Sequence, residues 1–181
     1  MTILTHYYPP EVGAPQARLS TLARLLAERG VEVTVHTGFP HYPDGRIKPP
    51  HRNRPWAEER GGPVRVVRSL VYPAPNRGFA KRLANHLSFA ASSVATSPRA
   101  GPADVVIAET PPLLVAAAGV AYARLKRAAL VLNVSDRWPA SAVELGALRD
   151  RRAIELAERL ERWCYRNARA IAVPTAGLEA A

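Results

Sequence analysis

Disulfide chemistry is closed to this chain, because its 181 residues include a single cysteine, Cys164. No internal bridge can form, and a reducing compartment is expected. Cys164 stands beside Trp163 in a charged helical stretch, where packing is expected of it rather than nucleophilic chemistry. Long apolar runs are missing too. The most apolar stretch, Pro111 to Leu125, carries Gly119, is bounded by Arg124 and Lys126, and falls short of the ~20 residues that span a bilayer. It reads as a covered crossover helix. Met1 leads into a strand-like run and then prolines, so no cleavable signal is expected. The opening loop holds one glycine, Gly13, which excludes the G-x-G-x-x-G dinucleotide fingerprint and the Walker loop. His6, His41 and His86 lack metal-ligand spacing, and there is no internal repeat or low-complexity linker. The length allows one well-buried domain and is short for two.

What the chain has in excess is positive charge, +10 net with a pI near 10.6. Such a charge attracts phosphorylated substrate, acidic lipid or nucleic acid without choosing among them. Lysine occurs only at Lys48, Lys81 and Lys126 in a chain rich in alanine and arginine, so compositional bias is an alternative source of the excess.

The chain is organised around Ile3 to Gly30: a short apolar strand, a loop marked by proline and Gly13, then an amphipathic helix. Leu19, Leu22, Ala23 and Leu26 share one helical face, with Arg18, Arg24 and Glu28 largely outside it. Gly30 can end the helix at positive φ, and Pro15 suits its first turn, where an amide has no helical partner. The unpaired amides at such a start favour an anion, and a diphosphate is the obvious candidate; the same opening also begins doubly wound domains that bind none.

Val31 to Thr37 alternates as a strand, placed near one side of the sheet. From Gly38 to Pro63 no helical or strand period is visible, yet Phe39, Tyr42 and Trp56 are kept, so the segment reads either as a substrate-facing loop or as a variable surface excursion. Val64 to Val71 is the next strand. Phe79 to about Ser97 follows as a helix with Phe79, Leu83, Leu87 and Ala90 or Ala91 at helical spacing beside Lys81, Arg82, Asn85 and His86. That face suits either anionic lipid or plain packing on the sheet. Asp104 to Glu109 and Leu130 to Val134 lack alternation, as parallel strands covered on both faces do. Helices are expected over Ala140 to Leu145 and Asp150 to Ala168, the latter with Leu156, Leu160 and Trp163 inward. A last strand covers Ala170 to Val173, and Thr175-Ala176-Gly177-Leu178 begins another helix. The expectation is an α/β fold: a Rossmann-like, open, mainly parallel sheet with helices on both faces. Ligands in such sheets bind beyond the strands' carboxyl ends, where four loops converge: Tyr7 to Pro15, Gly38 to Pro43, Glu109 to Pro112 and Ser135 to Pro139.

The segments HYYPPEVGAPQARLSTLARLLAERGVEVTVHTGFPHYPDG, YPAPNRG, ETPPL, VSDRWPASAVELGAL and ERLERWCYRNARAIAVPTAGL together resemble the N-terminal domain of retaining GT-B glycosyltransferases of glycosyltransferase family 4. The likeness is to the bacterial exopolysaccharide and O-antigen branch that includes colanic acid and N-acetylfucosaminyl transferases. It spans almost the whole chain, and the order and spacing of five motifs carry it. The resemblance implies that residues 1–181 form the acceptor-side half of the fold, ending at the start of the interdomain region. The nucleotide-sugar half, with its E-x-x-x-x-x-x-x-E stretch, would lie on other polypeptide in cis or in trans. Gly13 and Ala14 match the loop that approaches the donor diphosphate. Asp136 matches the acidic position of R-D-x-W-P, with Ser135 in place of the arginine. His41, Tyr42, Glu109 and Arg137 are the acceptor-binding candidates.

Implied partners are a nucleotide sugar, a saccharide or lipid-linked acceptor and an anionic membrane surface, with no cofactor, metal or nucleic acid. The implied location is cytoplasmic, at the inner face of the plasma membrane. In retaining transfer the departing diphosphate oxygen can deprotonate the acceptor, so the protein chiefly stabilises developing charge and orients the acceptor. Asp136 then has three readings: general base, acceptor orientation, or helix capping and turn formation. His6, His41 and His86 read as phosphate or acceptor contacts, or as packed or solvated imidazoles. The isolated chain is expected not to turn over. Rival readings are a non-catalytic membrane-docking subunit of a split glycosyltransferase and a basic nucleic-acid-binding domain, the second lacking any stacking motif or recognition helix.

Overall fold

A computed structural model of the chain describes residues 1–60, 62–75 and 78–176. Asn76 and Arg77 of the YPAPNRG motif lie outside the described residues, as do Gly177 and Leu178 of the expected final helix. Seven strands form one sheet: β1 (Thr2–Leu4), β2 (Thr34–Gly38), β3 (Trp56–Arg60), β4 (Arg65–Ser69), β5 (Val105–Thr110), β6 (Ala129–Val134) and β7 (Ala170–Ala172). Their order is β3-β4-β2-β1-β5-β6-β7, parallel throughout except for β3 against β4. The helices are α1 (Ala14–Glu28), α2 (Phe79–Ala95), α3 (Leu113–Lys126), α4 (Ala140–Glu144) and α5 (Arg151–Arg166), with a 3-10 turn at Ser97–Ala100.

Strand alternation divides the core between the two faces. Ile3, Val33 and Val35 pack with Leu19 and Ala23 of α1 on one face. Leu4, Val67, Val106, Ala108, Leu130 and Leu132 pack with α2, α3 and α5 on the other. This is the Rossmann-like layering expected of half a GT-B fold. At the end of α1, Gly30 sits at φ 83, and the Val31 amide donates to the Leu26 carbonyl, closing the helix as the sequence suggests. The apolar stretch is α3, with Gly119 where a Cβ would lie 2.6 Å from the Ala108 Cβ of β5. Glycine there lets helix and strand approach.

Three expectations fail. The segment 38–63 does hold a strand: β3 pairs with β4 through charged side chains rather than apolar alternation, Arg65 Nη2 lying 2.7 Å from Glu58 and Arg68 Nε 2.6 Å from Glu59. A charged edge strand gives no period-2 apolar signal and resists pairing with other chains. β2 is third in the order and buried along its whole length, not near the sheet's side. On α5 the inward residues are Ala157, Cys164 and the half-buried Leu160, while Leu156 is 69% and Trp163 39% exposed. Small residues let α5 lie close to α3, which turns the larger ones outward. Burial, then Glu161, pushes the Cys164 thiol up to about 12, so it is a packed and inert group.

Candidate functional site

The strand order reverses between β1 and β5, each leading to a helix on an opposite face, and this is the switch point at which a crevice opens. Above it lies a cavity of about 570 Å³. One wall carries Tyr7, Tyr42, Phe79, Arg82, Leu83 and His86 from two loops and the start of α2. The other carries Pro111 to Leu114, Asp136, Trp138 and the α4 segment through Leu148. All four predicted loops line it; three contribute Tyr7, then Pro111 and Pro112, then Asp136 and Trp138. Tyr42 adds the fourth.

Polar groups buried behind the first wall set its shape. Glu11 has no exposed side-chain surface. Its Oε1 accepts from the amides of His41 at 2.9 Å and Tyr42 at 2.7 Å, and Oε2 from the Tyr8 amide at 3.3 Å. One carboxylate thus joins the β1–α1 loop to the loop after β2. Arg68, 2% exposed, completes the clamp by donating to Glu59, to the Gly38 carbonyl at 3.1 Å and to the Pro9 carbonyl at 2.7 Å. These charge-assisted bonds are the strong kind. Tyr7 and Tyr42 then stand with ring centroids 5.3 Å apart at the cavity face.

Of the predicted site residues, Asp136 and Tyr42 line the cavity and the others do not. Ser141 Oγ donates to Asp136 Oδ2 at 2.9 Å, while Oδ1 has no hydrogen-bond partner among the described residues. The carboxylate therefore ties a turn through a hydroxyl, and no α4 amide is capped by it. Gly13 and Ala14 start α1 at the same edge of the sheet, without a side-chain cap. They are joined to the Asp136 loop through Arg18, whose guanidinium reaches Ser135.

His41 is buried at 1% exposure. Its Nδ1 donates to the Phe39 carbonyl at 2.8 Å and its Nε2 accepts from Asn85 at 2.8 Å, so it braces the wall and is not presented to an acceptor. Glu109, 3% exposed, is likewise withheld from an acceptor, with Arg18, Asn133 and Ser135 taking up its oxygens. Arg137 is exposed and pairs with Glu144 at 3.1 Å. Arg18 lies off the apolar face of α1 as predicted, and from there it bridges to residues at strand ends 91 and 117 positions away. Arg82, noted in the sequence only as part of a basic amphipathic helix, and the α4 segment of the VSDRWPASAVELGAL motif are further cavity residues.

Burial lowers His6 well below the usual imidazole range, and the neighbouring His86 and His41 add to this. Neither ring nitrogen of His6 has a hydrogen-bond partner among the described residues. Burial, then Arg82, brings His86 down to about 4, and burial, then Lys126, brings His36 to about 3. Burial raises Tyr7, with Glu11 adding to it, and raises Glu109 against the opposing pull of Ser135, Arg18 and Asn133. At neutral pH the first wall therefore offers the neutral imidazole of His86 and the neutral phenol of Tyr7. Among the described residues, no three His, Cys, Asp or Glu side chains are placed to hold a metal ion. No helix among them is long and apolar enough to cross a membrane.

The crevice presents a carboxylate with an unused oxygen, and the uncapped start of α1 lies at the same edge of the sheet outside its lining, a position at which open α/β sheets take ligands. Sequence comparison agrees: residues 13–181 match the glycosyl transferase 4-like domain, and the chain belongs to that family. It is a glycosyltransferase domain. No curated protein sequence matches it.

Proposed function

We propose that the domain is the acceptor-binding half of a retaining glycosyltransferase that extends a lipid-diphosphate-linked saccharide during cell-surface polysaccharide synthesis, at the cytoplasmic face of the plasma membrane. The nucleotide sugar is held mainly by a second, donor-binding domain in cis or in trans. One observation carries this reading: the cavity joins a carboxylate with an unused oxygen, Asp136, to apolar walls that run out to exposed Phe79, Leu83 and Leu145. A free sugar has no use for such walls, whereas a sugar on an isoprenoid carrier does. Asp136 Oδ1 orients the acceptor hydroxyl, the departing diphosphate oxygen takes its proton, and the amides at Gly13 and Ala14 stabilise the charge that develops there. Tyr42 stacks on the acceptor sugar, and Arg82 meets the carrier's phosphates.

The exposed line of Phe79, Leu83 and Leu87 on α2, 61%, 44% and 55% exposed beside Lys81 and Arg82, favours contact with anionic lipid and keeps the split-enzyme reading in play. Transfer assays with a polyprenyl-diphosphate saccharide test both. The 181-residue chain alone is expected to give no product, and addition of its donor-binding domain to restore transfer with retention of configuration. Product from the chain alone would overturn the division of labour.

A further inference from the structure

Arg18 is held in a way that stability does not explain. Its Nη2 donates to Glu109 Oε1 at 2.7 Å and to Ser135 Oγ at 2.5 Å, while Nη1 and Nε have no hydrogen-bond partner among the described residues. The guanidinium side chain keeps 35% of its surface open, and Glu109 keeps 4%. Asn133 and Ser135 take up the rest of the Glu109 carboxylate, so the anion has no freedom to turn. Burying a carboxylate for a single half-exposed cation is a poor stabilising device, since desolvation offsets most of the attraction. It is a good rack. Engaging both hydrogens of one terminal nitrogen sets the direction of the remaining donors, Nη1 and Nε, each of which can meet a phosphate oxygen.

We propose that Arg18 binds a substrate diphosphate and that Glu109, Ser135 and Asn133 are positioning residues that aim it. The location fits. Arg18 bridges from α1, which follows β1, to the carboxyl ends of β5 and β6, the two sides of the switch point. Arg18 stands outside the cavity lining, but its partner Ser135 directly precedes Asp136, which lines it, so the guanidinium is tied to the loop that carries the proposed acceptor carboxylate. That the anion is a diphosphate rests on the glycosyl-transfer reading. A nucleotide sugar and an isoprenoid carrier present the same group, and the test separates them.

The 181-residue chain is titrated with inorganic pyrophosphate, uridine 5′-diphosphate and geranyl diphosphate. The Arg18 Nε–H resonance is followed by NMR, assigned by its loss in Arg18→Lys. The resonance is expected to move saturably with pyrophosphate. Affinity, read by titration calorimetry because Arg18→Gln lacks the resonance, should fall about tenfold in Arg18→Gln and severalfold in Glu109→Gln, the scale of a charge-assisted contact. Arg124→Gln, at the opposite end of the sheet, should leave it unchanged. Whichever organic diphosphate loses more affinity in Arg18→Gln identifies the source. A stationary Arg18 resonance with all three probes overturns the proposal, and that readout on the unaltered chain does not depend on any variant folding. Should transfer by the assembled enzyme survive Arg18→Gln intact, this inference falls and the glycosyl-transfer reading stands.

Discussion

The two walls of the cavity are built by opposite means. Behind Tyr7 and Tyr42 lie buried ionic and polar groups, Glu11, Arg68, His41 and Asn85, each bound to backbone or side chain of another segment. The wall around Asp136 rests on α4, which buries none of its residues, on an exposed Arg137–Glu144 pair and on Leu145, 84% exposed. Buried charged bonds hold one geometry strongly, whereas exposed pairs are worth little. The first wall is thus a fixed template. The second can adjust to what enters, and it carries the carboxylate that meets the acceptor.

Acid should break the first wall most. All five histidines lie within the first 86 residues, and His6, His36 and His86 have folded pKa values below that of the unfolded chain. The unfolded state therefore takes up protons first. Their stability contribution is full above about pH 6.5 and declines as pH falls toward the folded values, by about 1.4 kcal/mol for each imidazole at pH 5.5. Melting curves at pH 7.5 and 5.5 should differ accordingly, and equal midpoints would count against buried neutral imidazoles. Next comes Glu11→Ala, which strands three amides in a closed region and should cost about 3 kcal/mol in denaturant unfolding. Asp136→Asn, on the other wall, should change stability by less than about 1 kcal/mol yet lower kcat of the assembled enzyme about a hundredfold through lost acceptor orientation. The smallest effect is expected of Arg137→Ala, within about 0.5 kcal/mol in the same unfolding assay. A larger loss there than at Glu11 would reverse the contrast.

Those features of the fold that depend on near neighbours are readable along the chain. Gly30 after an amphipathic helix, the unalternating strands β5 and β6, and Gly119 inside an apolar helix each state their role within a few residues. That the four loops, Asp136 among them, gather at one rim follows from reading the strands as parallel, without their order. Hidden from the sequence are groups whose partners are remote. Glu11 answers amides 30 and 31 residues on, Arg68 a carbonyl 59 residues back, and Arg18 a carboxylate 91 residues on. Each looks like an ordinary surface charge until the sheet brings the partner near. His41 and Glu109 show the reverse error: polar residues at the rim, where a ligand contact is expected, are taken up by bracing the rim itself.

The central claim is that the acceptor enters the cavity between these two walls. Photo-crosslinking with a diazirine-bearing polyprenyl-diphosphate saccharide, mapped by mass spectrometry, tests it most directly. The account predicts label on Tyr42, Leu83 and Trp138, which line the cavity. Label confined to Arg124, Asn167 and Arg169, around the hollow where α3 meets the amino end of β6, would contradict it.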